Sequence, residues 1–266
     1  MTQVAVITPA SASRRDHLER QRRMLPAGIV RVEAWLDATP DAVPPGTIGV
    51  HVPPGRHGVR VGAARNAAAA AAVAAGADLL VFLDVDCLPA PDLVDRYREA
   101  SHRHPEELLA GAVTYLASPQ RPSASDELAA MRRPHRARPA PADGETQLAT
   151  DAEYDLFWSL SFAVTPAVWT GLGGFDPRYE GYGAEDTDLA RRARAGGVPL
   201  RWVGGAHAFH QWHPVSSPPW QHLDDILRNG AAFADRWGEW PMTGWLEAFA
   251  AAGAIQEHAG GWRRIR

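Results

Sequence analysis

The first half of the chain alternates short runs of apolar, β-branched residues with longer stretches whose apolar positions recur at helical spacing, the pattern of parallel strands joined by helical crossovers. It predicts strands over residues 4–8, 29–36, 48–52, 79–83 and 108–116, and helices over 13–24, 62–75 and 91–102. The 62–75 helix is made of small residues and can pack close to a sheet. Further on, residues 157–165 alternate as a strand, 185–195 carry a helical pattern, and 200–203 form a strand running into His207, His210 and His213. From Trp220 onward, Leu223, Ile226, Leu227, Ala231, Phe233, Trp237, Trp240, Trp245 and Phe249 follow mostly helical spacing. The fold class expected is α/β, a mixed and mostly parallel sheet flanked by helices, with a C-terminal helical appendage.

Between residues 118 and 150 the composition turns to Pro, Arg, Ala and Ser, so a long loop or poorly ordered lid is expected there. A length of 266 residues with 45% hydrophobic side chains supports one substantial core, at the upper end of single-domain size. The net charge of -4 argues against a nucleic-acid footprint. All 27 cationic side chains are arginine, which reads as codon bias rather than mechanism. The lone Cys87 rules out an intramolecular disulfide and a cysteine-based zinc site. No run approaches the roughly 18 apolar residues of a membrane span, and a cytoplasmic protein without an integral membrane segment is expected.

Three blocks carry candidate chemistry. The apolar run at 79–83 stops at Asp84-Val85-Asp86, which puts two carboxylates at the carboxyl end of a strand, where open α/β sheets place ligands. In an extended stretch the two side chains share a face and can converge on one hard divalent ion, or on an ion and a ribose; two solvated acids at a strand end give the same pattern. The second block, residues 173–197, sets Gly181 and Gly183 around Tyr182 before Glu185 and Asp186 open a helix ending in arginines. Acids at the first turn suit the helix dipole, and a carboxylate held ionised there suits a general base. In the third block, His207 and His213 fall on the opposite strand face from His210, so only one or two of them can serve as ligands beside a carboxylate.

Together and in this order, the D-x-D pair, the G-Y-G-A-E-D turn and the downstream histidine resemble the nucleotide-sugar-dependent glycosyltransferases of the GT-A fold, especially the family 2 type with a galactosyltransferase-like C-terminal half. The resemblance spans roughly residues 3–215. Residues 173–188 match without gaps the pattern G-F, three residues, Tyr, one residue, Gly-aromatic-Gly-x-Glu-Asp, and Gly62-Ala63-Ala64-Arg65-Asn66 resembles the family's A-R-N helix start. It implies a catalytic domain over 1–215, with a nucleotide-binding half at 1–117, a flexible loop or lid at 118–150 and an acceptor and catalytic half at 151–215. A helical, Trp-rich appendage would follow at 216–266.

The resemblance also implies roles. Asp86 would bind Mn²⁺ or Mg²⁺, Asp84 would act through the ribose or a metal-bound water, and His210 would complete the metal ligands. His213 stands where some relatives place a cation on the diphosphate. Asp186 would be the base that deprotonates the acceptor hydroxyl in an inverting displacement, and Glu185 would hydrogen-bond sugar hydroxyls. Tyr182, with Gly183 beside it, would offer a flat face to a sugar ring, and Trp158 is a second such platform. Thr8, Pro9 and Ala10 begin the base-binding loop, and Arg65 would lie near the base or diphosphate. The usual acidic pair after the second strand is replaced by Ala34-Trp35-Leu36-Asp37, leaving Asp37 as the uracil or ribose contact. The donor would be a UDP- or GDP-sugar; acceptor and oligomeric state are left unassigned.

Three other readings share parts of this pattern. A nucleotidyltransferase requires a glycine-rich phosphate loop after the first strand, and residues 8–15 contain no glycine. A metallohydrolase could use the same acids and histidines, and a non-catalytic carbohydrate-binding protein would keep the aromatic platform without needing Asp186.

Overall fold

The computed structural model describes residues 2–38, 43–117, 120, 122 and 124–265. The chain runs through β1 (Val4–Ala10), α1 (Arg15–Met24), β2 (Val30–Trp35), β3 (Thr47–His51), α2 (Val61–Ala74), β4 (Leu79–Leu83), β5 (Cys87–Pro89), α3 (Leu93–Arg103) and β6 (Leu108–Tyr115). It continues through α4 (Ser125–Ala130), β7 (Thr146–Leu148), β8 (Ser161–Val164), α5 (Pro166–Leu172), α6 (Glu185–Ala195) and β9 (Leu200–His210). Then come α7 (Leu223–Trp237), α8 (Thr243–Ala251), β10 (Ile255–His258) and β11 (Gly261–Arg264).

Nine strands form one sheet in the order β3-β2-β1-β4-β8-β6-β9-β5, with β7 also pairing β9. The longer pairings, β3-β2-β1-β4 and β6-β9, are parallel, while β8, β5 and β7 run against their neighbours. Both faces are covered, so β1 and β4 read as unbroken apolar runs rather than alternating ones. Ala5, Ile7 and Phe82 enter one core layer with α2, while Val4, Val6 and Val81 enter the other with α3. The small residues of α2 permit its close approach: a Cβ on Gly62 would lie 2.8 Å from the Phe175 Cβ.

The α/β architecture is as expected, and four local readings are corrected. The 157–165 strand shrinks to β8, and just before it Thr150 and Glu153 form a capping box that starts a 3₁₀ turn at Asp151–Leu156. The 200–203 strand continues to His210 as β9. It passes through Gly205 at φ +84, where a bulge against β6 shifts the register between Gly111 and Val113. The 118–150 stretch, expected as a loop, holds α4 and β7 among its described residues. The 216–266 appendage is not wholly helical: β10 and β11 form a hairpin whose two turn residues, Ala259 and Gly260, both have positive φ. No helix among the described residues is long and apolar enough to cross a membrane.

Candidate active site

The site forms where β4 ends. Asp84-Val85-Asp86 is a turn rather than an extended stretch, since the Cys87 amide donates to the Asp84 carbonyl at 2.8 Å. The two acids therefore part company. Asp84 accepts from the Arg65 guanidinium at 2.5 Å, and Asp86 lies 3.6 Å from His210 Nε2 and 3.4 Å from His213 Nε2. Antiparallel pairing of β5 with β9 sets Cys87 opposite His210, and the chain after β9 folds back so that His213 joins its neighbour, with ring centroids 5.1 Å apart. One oxygen of Asp86 and one ring nitrogen from each histidine lie within 4.8 Å of one another, an arrangement able to hold a metal ion. Asp84 is not part of this cluster, because its carboxylate is turned to Arg65. His213 is part of it, whereas strand alternation had set His213 apart from His210. Burial opposes the charge on Asp86, but the nearby His213 and His210 imidazoles hold its pKa down at about 2.

The other expected nucleotide contacts have different surroundings. Thr8, Pro9 and Ala10 are buried in β1. Thr8 Oγ1 donates to Gln21 Oε1 at 2.9 Å, and Gln21 Nε2 donates to the carbonyls of Asp84 and Cys87 at 2.6 and 2.8 Å. These residues support the acid turn from below, with side chains facing the core. Asp37 accepts from the Ala12 and Ala38 amides at 2.8 and 2.9 Å and ties the loop after β1 to the end of β2. Arg65 lies beneath the site, over the Phe175 ring at 5.0 Å, with Nη1 at 4.0 Å from Glu185. It is a buried strut between the two acid motifs. His207 is also structural: its Nε2 pairs with Thr114 Oγ1 at 2.8 Å, and burial lowers its pKa to about 4.

The turn before α6 passes through Gly181, Gly183 and Ala184 at φ +73, +95 and +75. Ala184 sits in the left-handed region without being glycine, a strain of about 1 kcal/mol that surrounding contacts must hold. Asn229 of α7 does so: its Nδ2 lies 3.0, 3.1 and 3.0 Å from the carbonyls of Glu180, Tyr182 and Gly183. Asn66 pins the upstream end through paired bonds to the Phe175 amide and carbonyl, both at 2.8 Å. Fully buried Asp188 accepts from Arg192, Arg236 and Trp237, which locks α7 onto α6. Asn229→Asp would set a carboxylate oxygen against three carbonyls. We expect it to lower the unfolding free energy by about 2–3 kcal/mol in urea titrations; an unchanged midpoint and slope would mean that the clamp carries no energy.

Glu185 and Asp186 open α6 on the site side. A helix start favours an ionised carboxylate, but burial outweighs it here and raises the Asp186 pKa, even against the Thr187 amide, which donates at 2.8 Å. Burial, then the charge of Asp186, pushes Glu185 up to about 7 against the pull of Arg65. The Ser159 amide also pulls the Asp186 pKa down, so the stretch just before β8 faces the same carboxylate. Tyr182 is 39% exposed, but His222 stacks on its ring at 4.3 Å and Trp245 lies at 5.9 Å. Half-buried Trp158 meets the His135 ring edge-on at 4.9 Å. Tyr115, at the exposed end of β6, lies 4.7 Å from His210 and was not singled out from the sequence.

The doubly covered mixed sheet, with a metal-competent triad and a half-buried pair of acids at one end, matches the fold of GT-A glycosyltransferase structures. Solved structures of that class superpose on most of the chain. GalNAc-T7 with UDP, GalNAc and Mn²⁺ gives a TM-score of 0.64 at 13% identity over 89% of this chain and 48% of its own. S. aureus TarS 1–349 in complex with UDP gives 0.58 at 10% identity over 88% and 66%. At such identities the likeness is one of fold. In sequence, residues 143–213 match the family model described as the N-terminal domain of galactosyltransferase. The validoxylamine A glucosyltransferases of Streptomyces hygroscopicus subsp. jinggangensis (strain 5008) and subsp. limoneus are each 31% identical over 172 residues, 57% of this chain. The match takes in 40% and 37% of their respective lengths, so the chain spans less than half of these curated relatives. The resemblance seen in the motifs is thus met in fold and in sequence.

Proposed function

We propose that the chain is a metal-dependent, inverting glycosyltransferase that moves a sugar from a nucleoside-diphosphate donor, with UDP as the favoured nucleotide, to a hydroxyl acceptor. The observation that carries this reading is the meeting of two distant motifs across Arg65, which contacts Asp84 on one side and approaches Glu185 on the other. Asp86, His210 and His213 would hold the ion, whose chemistry is to neutralise charge growing on the diphosphate leaving group. A set of two imidazoles and one carboxylate suits Mn²⁺ better than Mg²⁺, which prefers all-oxygen surroundings.

Asp186 would take the proton from the attacking hydroxyl, and its raised pKa strengthens it as a base near neutral pH. Glu185 would orient hydroxyls. Tyr182 would offer its open side to a sugar ring while His222 backs the other face. In this reading residues 1–117 are the nucleotide half, 118–150 the lid, 151–215 the catalytic and acceptor half, and 216–266 a support for the catalytic turn; a cytoplasmic location belongs to the same reading. The absence of glycine from residues 8–15 weighs against a nucleotidyltransferase. A raised-pKa base beside a metal triad weighs against a protein that only binds sugar.

Calorimetric titration of UDP, GDP and CMP, with and without Mn²⁺, tests the proposal. We expect one nucleoside diphosphate, UDP, to bind only when metal is present. Failure of all three to bind in a metal-dependent way would overturn it.

A further inference from the structure

Arginines that enter the interior of this protein mostly meet carboxylates: Arg65 meets Asp84, Arg192 meets Asp188 and Arg22 meets Glu33. Arg138 does not. It is 5% exposed, and its Nε, Nη1 and Nη2 have no hydrogen-bond partner among the described residues. The guanidinium lies between two indoles, 5.1 Å from the Trp158 ring and 5.0 Å from the Trp202 ring. Ring faces attract a cation but accept none of its in-plane N–H donors. Burial lowers its pKa only to about 10, so it is charged at neutral pH. A charge buried without a counter-ion is costly, and a native interior keeps one only for a reason.

Its place suggests the reason. Trp158 is half-buried and packs on the Arg138 guanidinium, and the amide of the next residue, Ser159, acts on the Asp186 carboxylate. The rings of Trp158, His135, Tyr115 and His210 follow one another at 4.9, 5.7 and 4.7 Å between successive centroids. They link the indole over the guanidinium to His210 of the metal-competent cluster. Among the carboxylates of the site, Asp186 acts on Arg138 most strongly. Trp158, which covers the cation, adjoins Ser159, whose amide acts on Asp186, so the covered side of the guanidinium is that of the base.

We propose that Arg138 binds an anionic group, a carboxylate or a phosphate, carried by the acceptor whose hydroxyl Asp186 deprotonates, with Trp158 as the movable cover over the guanidinium. The planar fork of five donors matches such oxygens bidentately. The inference rests on the assignment of Asp186 as base. An anionic donor sugar, such as a uronate, would present the same chemistry, and the test separates the two sources.

Thermal unfolding of the full chain is measured with inorganic phosphate, glucuronate and, as a neutral control, glucose, for the wild type, Arg138→Gln and Arg138→Met. We expect both anions, and not glucose, to raise the wild-type Tm by about 2 °C or more and to lose that effect in both variants. Without anion, the variants should melt at or above the wild-type temperature, because an unpaired buried charge has been removed. An anion shift that persists in both variants would make the binding adventitious and overturn the site. So would two variants that melt well below a wild type unaffected by anions, since Arg138 would then be packing alone. With UDP-glucose as donor, glucuronate and glucose 6-phosphate as test acceptors should show KM values at least about tenfold below that of glucose, a ratio lost in Arg138→Gln. If Arg138→Gln instead changes the preference between UDP-glucuronate and UDP-glucose, the anion belongs to the donor and the acceptor assignment falls. Metal-dependent UDP binding is followed in parallel. Its absence from the wild type alongside an intact anion response would defeat the glycosyltransferase reading while supporting the anion site.

Discussion

Asp186→Asn is expected to lower turnover by at least about 10²-fold while leaving the affinity for UDP and Mn²⁺ within a factor of about two. The substitution keeps the shape of the side chain and its bond from the Thr187 amide, and removes only the ability to take a proton. The metal triad has no member in α6, so nucleotide binding should be untouched. Because burial raises the Asp186 pKa, the acid limb of the wild-type kcat/KM profile should lie above the ordinary range of an aspartate, with activity lost as pH falls through it. The charges of Glu185 and Asp186 repel, so Glu185→Gln should move that limb to lower pH by removing the neighbouring negative charge. Stopped turnover with unchanged UDP titrations in Asp186→Asn would fit the base. Wild-type turnover in that variant would remove Asp186 from the chemistry.

What could be read from the sequence was local. The apolar run of β4 ends at its acids, and the glycines around Tyr182 announce a turn before a helix, so both halves of the site were legible in short windows. The strand expected over 200–203 runs on to His210, because Gly205 takes positive φ within a bulge of a continuing strand. The contacts that decide the roles were not legible, because each joins distant positions. Asp84 is drawn off the metal cluster by Arg65 of α2, a contact that D-x-D spacing cannot reveal. His213 joins His210 only because the chain turns after β9, which defeats an argument from strand alternation. Asn229 and Asp188 tie the C-terminal segment to the turn before α6, although the pattern there showed only a helix to be packed. Gln21, on an otherwise polar helix, gave no sign that it props the acid turn.

Removing Asp86 should have the second large effect: Asp86→Ala abolishes metal-dependent UDP binding and, with it, transfer. Its carboxylate is the cluster's only anionic ligand, and its low pKa keeps it ionised throughout the working range. The two histidines approach the same oxygen at 3.6 and 3.4 Å, so nothing in the geometry ranks one above the other. His210→Ala and His213→Ala should therefore each weaken Mn²⁺ by at least about 100-fold in calorimetry with UDP present, as losing a ligand does at least as much harm as losing its supporting hydrogen bond. A loss confined to His210→Ala would return His213 to the diphosphate, as the family resemblance implied. An Asp86→Ala variant that still binds UDP and Mn²⁺ together would place the ion elsewhere. Asp84→Asn is the informative companion, because Asp84 holds Arg65 rather than the cluster. It should leave a measurable Mn²⁺ affinity while loosening the strut to Glu185, so that its main loss is in kcat rather than in metal binding.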